Sequence, residues 1–218
     1  MRATSLAVLG TVALLLTGCA PAAPSGAAPA SESPTPTATP SPTPTIDPGP
    51  VALTKEEAGK RYLGIVCGPN FAGQTLYDAT IAQEDAFLNG EGVSLDGVKA
   101  AADVNIRAIR TAVELIDDTY VTWPGDIGEH LQHVRAEYLA DSSTLSDILN
   151  TDRFDDVYYA DWNNSAESAT ASQEIRLQLG IPADAFGSCK GYETAGETLH
   201  QEMTERNAYL ATFTDPEG

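Results

Sequence analysis

The segment from residue 20 to residue 50 limits what this chain can fold into, because it consists almost entirely of Ala, Pro, Ser and Thr. Such a composition buries too little apolar surface to form a core, and its prolines favour an extended conformation of about 3.1 Å per residue. We therefore expect a disordered linker over residues 19–50 that reaches roughly 90 Å. Residues 51–218 are left to form one folded domain with a hydrophobic core.

The first eighteen residues have the layout of an export signal. Arg2 precedes an apolar run from Leu6 to Leu16, and a small-residue site follows that ends at Cys19. The apolar run is too short to cross a bilayer, which takes roughly 20 residues. The sequence therefore predicts that residues 1–18 are a signal peptide and are removed.

Residues 16–19, Leu-Thr-Gly-Cys, resemble the lipobox of bacterial lipoprotein signal peptides. The resemblance implies a diacylglycerol thioether on Cys19, cleavage just before it, and attachment to the extracytoplasmic face of the cell membrane. At about 0.8 kcal/mol per buried methylene, two or three acyl chains give a stable anchor. The alternative is ordinary secretion with a free thiol at Cys19.

The predicted domain is strongly acidic. Of the 12 basic residues only Arg2 precedes it, and of the 31 acidic residues only Glu32 and Asp47 do, so its formal net charge is −18. Nucleic-acid binding requires a basic surface to pair with phosphates, and this domain lacks one. Nucleic acid is therefore excluded as a partner.

The two cysteines left after Cys19, Cys67 and Cys189, are an even pair in a chain predicted to be exported. Exported proteins form disulfides, so we expect these two to pair. The bond would connect the end of the first predicted helix to the segment after the fifth, and so tie the two ends of the fold. The alternative, a redox-active pair, lacks the Cys-x-x-Cys spacing.

Apolar periodicity and capping signals predict helices almost throughout the domain, and strand signals are almost absent. The predicted helices run from Thr54 to Gly68-Pro69, from Gln74 to Leu88, from Ser94 to about Ile116, from Asp126 to about Leu149, from the Phe154–Trp162 segment to Leu179-Gly180, and from Thr194 onwards. Thr54 with Glu57 and Asp126 with Glu129 are predicted capping boxes. The fold class is therefore all-α, an antiparallel bundle of about four core helices with flanking helices and one disulfide.

Several of these features together resemble a group of uncharacterised lipoproteins of high-GC Gram-positive (actinobacterial) bacteria. The features are the lipobox, the Ser/Thr/Pro linker, residues 57–63 (Glu-Ala-Gly-Lys-Arg-Tyr-Leu) leading to Cys67, and residues 176–182 (Arg-Leu-Gln-Leu-Gly-Ile-Pro) before Cys189. The resemblance implies a lipid-anchored helical protein and brings no assigned activity.

His130, His133 and Glu137 fall on one side of the fourth predicted helix. Two imidazoles and a carboxylate suit zinc or copper(II), and His200 or Glu202 of the last helix could complete the shell. The order differs from the His-Glu-x-x-His of zinc proteases. The plainer interpretation is that these are solvated residues at the edge of the helix, and no cofactor is expected.

The second candidate site contains Phe154, Tyr158, Tyr159 and Trp162 among several aspartates. Aromatic faces beside carboxylates are used to bind sugars and peptides. The favoured alternative is structural, with Phe154, Val157, Tyr158 and Trp162 packed inward at the start of a helix.

The catalytic motifs for which we searched are missing from the sequence, including the Gly-x-Ser-x-Gly elbow, the phosphate-binding glycine loop and the dinucleotide fingerprint. We therefore expect a non-enzymatic binding or interaction module of the cell envelope, whose partner is an envelope protein or glycan. This hypothesis predicts an exposed apolar or aromatic patch. A zinc- or copper-binding lipoprotein is the first alternative and an envelope-acting hydrolase the second.

Overall fold

The computed structural model describes residues 49–163 and 165–214, which are mostly helical. The predicted signal peptide, Cys19 and nearly all of the linker lie outside the described residues, so export, lipidation and linker disorder stay predictions. None of the helices found in residues 49–163 and 165–214 has both the length and the apolar character that a bilayer-spanning segment requires.

The described helices are α1 (Lys55–Ile81), α2 (Glu84–Leu88), α3 (Asp96–Ile116), α4 (Ile127–Asn150), α5 (Phe154–Tyr158), α6 (Ala166–Leu179) and α7 (Ala195–Thr214), with a 3-10 turn at Gly187–Cys189. Two short strands, β1 (Val51–Ala52) and β2 (Val121–Thr122), pair in parallel with Val51 opposite Val121. The pairing joins the chain before α1 to the connection between α3 and α4.

Helix α1 is longer than the sequence predicts. The prediction that Gly68 and Pro69 end a first helix, with a second starting near Gln74, was wrong, because one helix runs from Lys55 to Ile81. Proline removes one backbone hydrogen bond, and its ring clashes with the N–H and the Cβ of a helical residue before it. Gly68 has no Cβ, and buried residues on both sides of Pro69 hold the helix in place.

Two predicted helix ends are confirmed. Thr54 and Glu57 form the capping box at the start of α1, with the Glu57 N–H donating to Thr54 Oγ1 at 3.3 Å and the Thr54 N–H donating to Glu57 Oε2 at 2.8 Å. Helix α6 ends at Gly180, whose φ of 71° lies in the left-handed region. Glycine adopts this conformation at little cost because it has no side chain.

Helix α4 begins directly after Asp126, as predicted, but the capping box predicted there does not form, and the predicted start of the fifth helix was wrong. Asp126 does not cap α4, because its backbone is not in the extended conformation that capping needs; its carboxylate instead accepts a hydrogen bond from Gln178, which lowers the pKa of Asp126. The Phe154–Trp162 segment does not lead into the fifth predicted helix. It forms the separate short α5, since Ser165 Oγ accepts from the Ser168 N–H and starts α6 afresh.

Helix α3 is the central helix, because it packs against α1, α4 and α7. Helical spacing in the sequence predicts a core stripe on this helix, and that stripe is buried; it consists of Val98, Ala102, Asn105, Ile109, Ala112 and Ile116. The same spacing predicts a second buried stripe of Val104, Ala108 and Leu115, and this prediction is only partly right. Leu115 is fully buried, whereas Val104 is 47% exposed and borders a surface groove beside α1.

The buried side chains form two clusters. The first surrounds the disulfide and includes Tyr62, Leu115, Leu131 and Ile175. The second lies around the C-terminal part of α1 and α4 and includes Leu76, Val98, Leu145, Ile148 and Phe154. Tyr138 packs against both clusters, so it stands at the boundary between them.

The predicted disulfide between Cys67 and Cys189 is confirmed, with the two Cα atoms 5.3 Å apart. Its position differs from the prediction, because α1 continues past Pro69 and Cys67 therefore lies near the middle of the helix. The bond fixes the 3-10 turn on that point of α1. Arg176 holds the same segment, since its Nη1 donates to Pro182 O and to Ser188 Oγ, both at 2.8 Å.

A buried ion cluster joins α1, the loop after α3, and α7. The Asp118 carboxylate accepts from Arg61 Nη2 at 2.7 Å and from Arg206 Nη2 at 2.7 Å, and the Arg206 guanidinium lies 4.6 Å from the centre of the Tyr120 ring. Burial lowers the pKa of Arg61, and the charge of Asp118 opposes this shift. Removing one partner of such a buried cluster leaves an uncompensated charge, so its members depend on one another.

Helices α1 and α7 approach closely at two glycines. A Cβ added at Gly196 would lie 2.8 Å from the backbone oxygen of Gly64, and one added at Gly64 would lie 2.5 Å from Leu199 Cδ1. Both distances are shorter than van der Waals contact, so the absence of side chains allows this crossing.

We predict that Gly196→Ala lowers the free energy of unfolding by about 2 kcal/mol, because the new methyl group must push α7 away from the α1 backbone. Urea denaturation measures the change. The matched control is Gly128→Ala on α4, where an added Cβ meets nothing within 4 Å and alanine should slightly favour the helix. Equal stabilities of the two variants would contradict a tight crossing.

Candidate ligand-binding pocket

A cavity of about 620 Å³ lies between α1 and α4, over α3. Its α1 wall runs from Pro69 to Ile81, its α4 wall contains Tyr138, Asp141 and Ile148, and α3 contributes Asn105 and Ile109. Helix α6 is short and packs between α1 and α4 on the side of the disulfide. Beyond the part that α6 covers, only α5 and the residues after it lie over the gap between α1 and α4. The cavity is in that part of the gap.

The buried part of the cavity lining is mainly apolar, and aromatic side chains stand around it. The buried lining residues are mainly apolar and include Leu76, Ile109, Ile148 and Val157. Aromatic side chains stand around them, namely Tyr77, Tyr138, Tyr158, Trp162 and Phe186. Tyr77 and Phe186 are at least half exposed, so two of the aromatic side chains that line the cavity are also open to solvent.

Asn105 is the one fully buried polar side chain among the cavity-lining residues that the structure describes, at 5% exposure. Within the same described residues its Oδ1 has no hydrogen-bond partner. A buried acceptor without a partner costs about 1–3 kcal/mol. Its Nδ2 faces Gly73 on α1 and lies 3.8 Å from where a Cβ would stand, which is ordinary van der Waals contact.

Asp141 is the carboxylate of the cavity wall and is half-buried. Desolvation raises its pKa to about 6, and the negative charge of Glu137 adds to the shift. Glu137 itself faces elsewhere, because its Oε2 accepts from Asn163 Nδ2 at 3.0 Å and from the Ser165 N–H at 3.2 Å. In the part of the chain that the structure describes, the Asp141 carboxylate accepts no hydrogen bond and forms no ion pair.

The aromatic residues that the sequence offers as a second candidate site do not lie together. One is in the core, two line the cavity and one is on the surface. Phe154 is buried and Val157 lines the floor, as the structural alternative predicts. Tyr158 and Trp162 line the cavity, and Tyr158 Oη donates to Glu84 Oε1 at 2.5 Å, which raises the pKa of Tyr158. Tyr159 is 71% exposed and stacks edge to face on Tyr158 outside the cavity.

The residues considered as metal ligands each have their own surroundings and do not come together at one point. His130 Nε2 lies 3.6 Å from the Asp126 carboxylate, His133 is exposed, and Glu137 bonds to the segment before α6. His200, offered as a further ligand, pairs with Glu114 at 2.6 Å. Across residues 49–163 and 165–214, no three His, Cys, Asp or Glu side chains are arranged to hold a metal ion. Binding of zinc or copper through His130, His133 and Glu137 stays a prediction.

Two polar residues of the cavity, Asn105 and Asp141, and most of its aromatic wall were not identified from the sequence as parts of a site. Asn105 was counted as part of an apolar stripe, where a polar residue at a core position was the available signal. Asp141 follows Tyr138 by three residues and so falls on the same face of α4. For Tyr77 and Phe186 there was no local signal, because the cavity depends on how distant segments meet.

No protein-family model matches the chain. Searches of curated proteins and of solved structures likewise find no match.

We predict that Asp141→Asn raises the free energy of unfolding at pH 7 by about 1 kcal/mol, because it removes a desolvated negative charge that solvent partly screens. The folded-state pKa of Asp141, about 6, lies above the ordinary value of 3.8. Its contribution to stability is therefore fully present below about pH 4 and is lost as the pH rises through 6. The two proteins should then be nearly equal in stability at pH 4 and differ at pH 7.

Urea denaturation at pH 4, 5, 6 and 7 measures this difference. The control is Asp147→Asn, which removes the same charge from an exposed position of α4. If both variants show the same dependence on pH, the effect belongs to the net charge of the domain and not to the cavity.

Proposed function

We propose that this protein is a lipid-anchored, extracytoplasmic binding module whose cavity between α1 and α4 takes a small organic ligand. The observation that carries the proposal is the cavity itself, whose lining combines buried apolar side chains, five aromatic side chains and a few polar ones, among them Asn105 and Asp141. Ligand sites are concave and mostly apolar, have volumes of about 300–1,000 Å³, and contain a few polar groups. The volume and the lining of this cavity lie within that description.

The proposed location follows from the export signal and the lipobox ending at Cys19. The disulfide between Cys67 and Cys189 supports it, because such bonds form and persist in oxidising compartments. The acyl chains would be the contact with the membrane, and the linker would carry the domain away from it. An envelope protein or glycan stays in the proposal as a partner of the module.

For the fold we infer an antiparallel arrangement of four core helices, α1, α3, α4 and α6, with the other helices flanking them. It is supported by the packing of α1 on α3, of α3 on α4, of α4 on α6 and of α6 on α1. In this arrangement the cavity is a gap along the α1–α4 side, which α6 is too short to cover.

The cavity gives little support to the alternative that the protein is a hydrolase. Asp141 is a carboxylate with a raised pKa in a cleft, as a general acid requires. A second catalytic group should stand beside it, but Glu137 is bonded to Asn163 and Ser165 and does not line the cavity. A non-catalytic role therefore fits the geometry better.

We predict that prodan, an uncharged fluorophore sensitive to its surroundings, binds the protein with one molecule per chain and a blue-shifted emission. Gly73→Leu should weaken this binding at least tenfold, because the new side chain projects into the cavity, where a Cβ meets only Asn105 Nδ2 at 3.8 Å. The measurement is a fluorescence titration of the full chain carrying Cys19→Ser, which needs no detergent.

The control is Gly97→Leu on α3, where an added Cβ meets nothing within 4 Å and which lies outside the cavity. It should bind prodan as the parent protein does. Absence of binding, or equal binding by the two leucine variants, would count against the cavity as a ligand site.

We predict that Cys19→Ser releases the protein from the membrane fraction into the medium, because the thioether that carries the acyl chains cannot form. Fractionation of cells that express either form, followed by immunoblotting, measures the release. Ser25→Ala, in the linker outside the lipobox, should stay with the membrane. Retention of the Cys19→Ser protein would disprove lipid anchoring through this residue.

A further inference from the structure

The described residues that line the cavity carry a negative charge and no positive charge. Among the described residues that line it, none is Lys, Arg or His, and the one formally charged side chain is Asp141. A ligand that completes this site must therefore bring hydrogen-bond donors and must tolerate, or match, a negative charge.

We propose that the ligand of this cavity is a protonated organic amine with an apolar body. This inference rests on the proposed binding function and specifies its ligand class. The ammonium group pairs with the Asp141 carboxylate, while the apolar body lies against the floor formed by Leu76, Ile109 and Ile148.

The Asp141 carboxylate gives the site its preference for positive charge. It is half-buried, and in residues 49–163 and 165–214 no cation or hydrogen-bond donor satisfies it. Ionic attraction is stronger in such a partly dehydrated place than at the surface, and an arriving cation offsets a desolvation cost that the empty site already bears.

The aromatic wall adds to the same preference. Tyr77, Tyr138, Tyr158 and Trp162 line the same cavity as Asp141. The faces of aromatic rings attract cations, and tryptophan does so best. An uncharged ligand of equal shape would gain the apolar contacts and lose this attraction.

The charge of the whole domain acts at longer range. A formal net charge of −18 attracts cations and repels anions before they reach the cavity mouth. An anionic ligand of the same shape would meet both the domain charge and Asp141. The order of affinity expected for one apolar body is therefore cation, neutral, anion.

The test compares three probes that share a phenylalkyl body, namely 4-phenylbutylamine, 4-phenylbutanol and 4-phenylbutyrate. Each is titrated at pH 7.5 into the full chain carrying Cys19→Ser, with prodan as the displaced reporter and calorimetry as the direct measurement. The amine should bind about tenfold or more tightly than the alcohol, and the acid more weakly than both. Amine binding no tighter than alcohol binding would overturn the proposal.

Two variants test whether Asp141 causes the preference for the amine. Asp141→Asn should reduce the preference for the amine over the alcohol to less than about twofold and leave alcohol binding nearly unchanged. Asp147→Asn removes one charge from the same helix outside the cavity and should keep the full preference. A loss of preference in both variants would assign it to the domain charge and overturn the role of Asp141.

If prodan binds and Gly73→Leu blocks it, but the amine shows no advantage, the ligand class is wrong and the binding function stands. If prodan does not bind either, the binding function itself fails.

Discussion

The continuity of α1 through Pro69 is the constraint on which the rest of the structure depends. This 27-residue helix packs against α3, α6 and α7, carries Cys67, and supplies one wall of the cavity from Pro69 to Ile81. A break at Gly68-Pro69 would separate the disulfide from that wall. The helix gives up the hydrogen bond that Pro69 cannot donate, and burial of the side chains around it compensates for this loss.

The cavity and the disulfide are linked through the segment that precedes Cys189. Asn70, next to Pro69 in the cavity wall, lies with its Nδ2 at 3.9 Å from Cys189 Sγ. Phe186, three residues before Cys189, reaches the cavity mouth, and Arg176 ties the same segment to α6. The cross-link therefore orders one edge of the site as well as stabilising the fold, by up to about 5 kcal/mol on the chain-entropy model.

The parts of the fold that follow local rules could be predicted from the sequence. The apolar stripe of α3, the capping box at Thr54, the end of α6 at Gly180 and the pairing of the two cysteines each depend on nearby residues or on simple counting. Pro69 and Asp126 were misjudged because distant packing and a contact from Gln178 overrode the local signals. The cavity could not be predicted, since it depends on what α6 and the segment after α5 leave uncovered.

The cost of the cavity favours a binding role over a purely structural one. Gly73 and Asn105 face each other across the α1–α3 contact, and neither residue stabilises it well. A larger apolar side chain at position 73 would fill space, and leucine at position 105 would remove a buried acceptor that has no partner in the described structure. Asp141 adds a desolvated carboxylate on the opposite wall. Three separate departures from a well-packed core meet around one space, and binding sites are where folds give up stability in this way. A ligand with a positive charge and an apolar body would pair with Asp141 and fill the space beside Gly73.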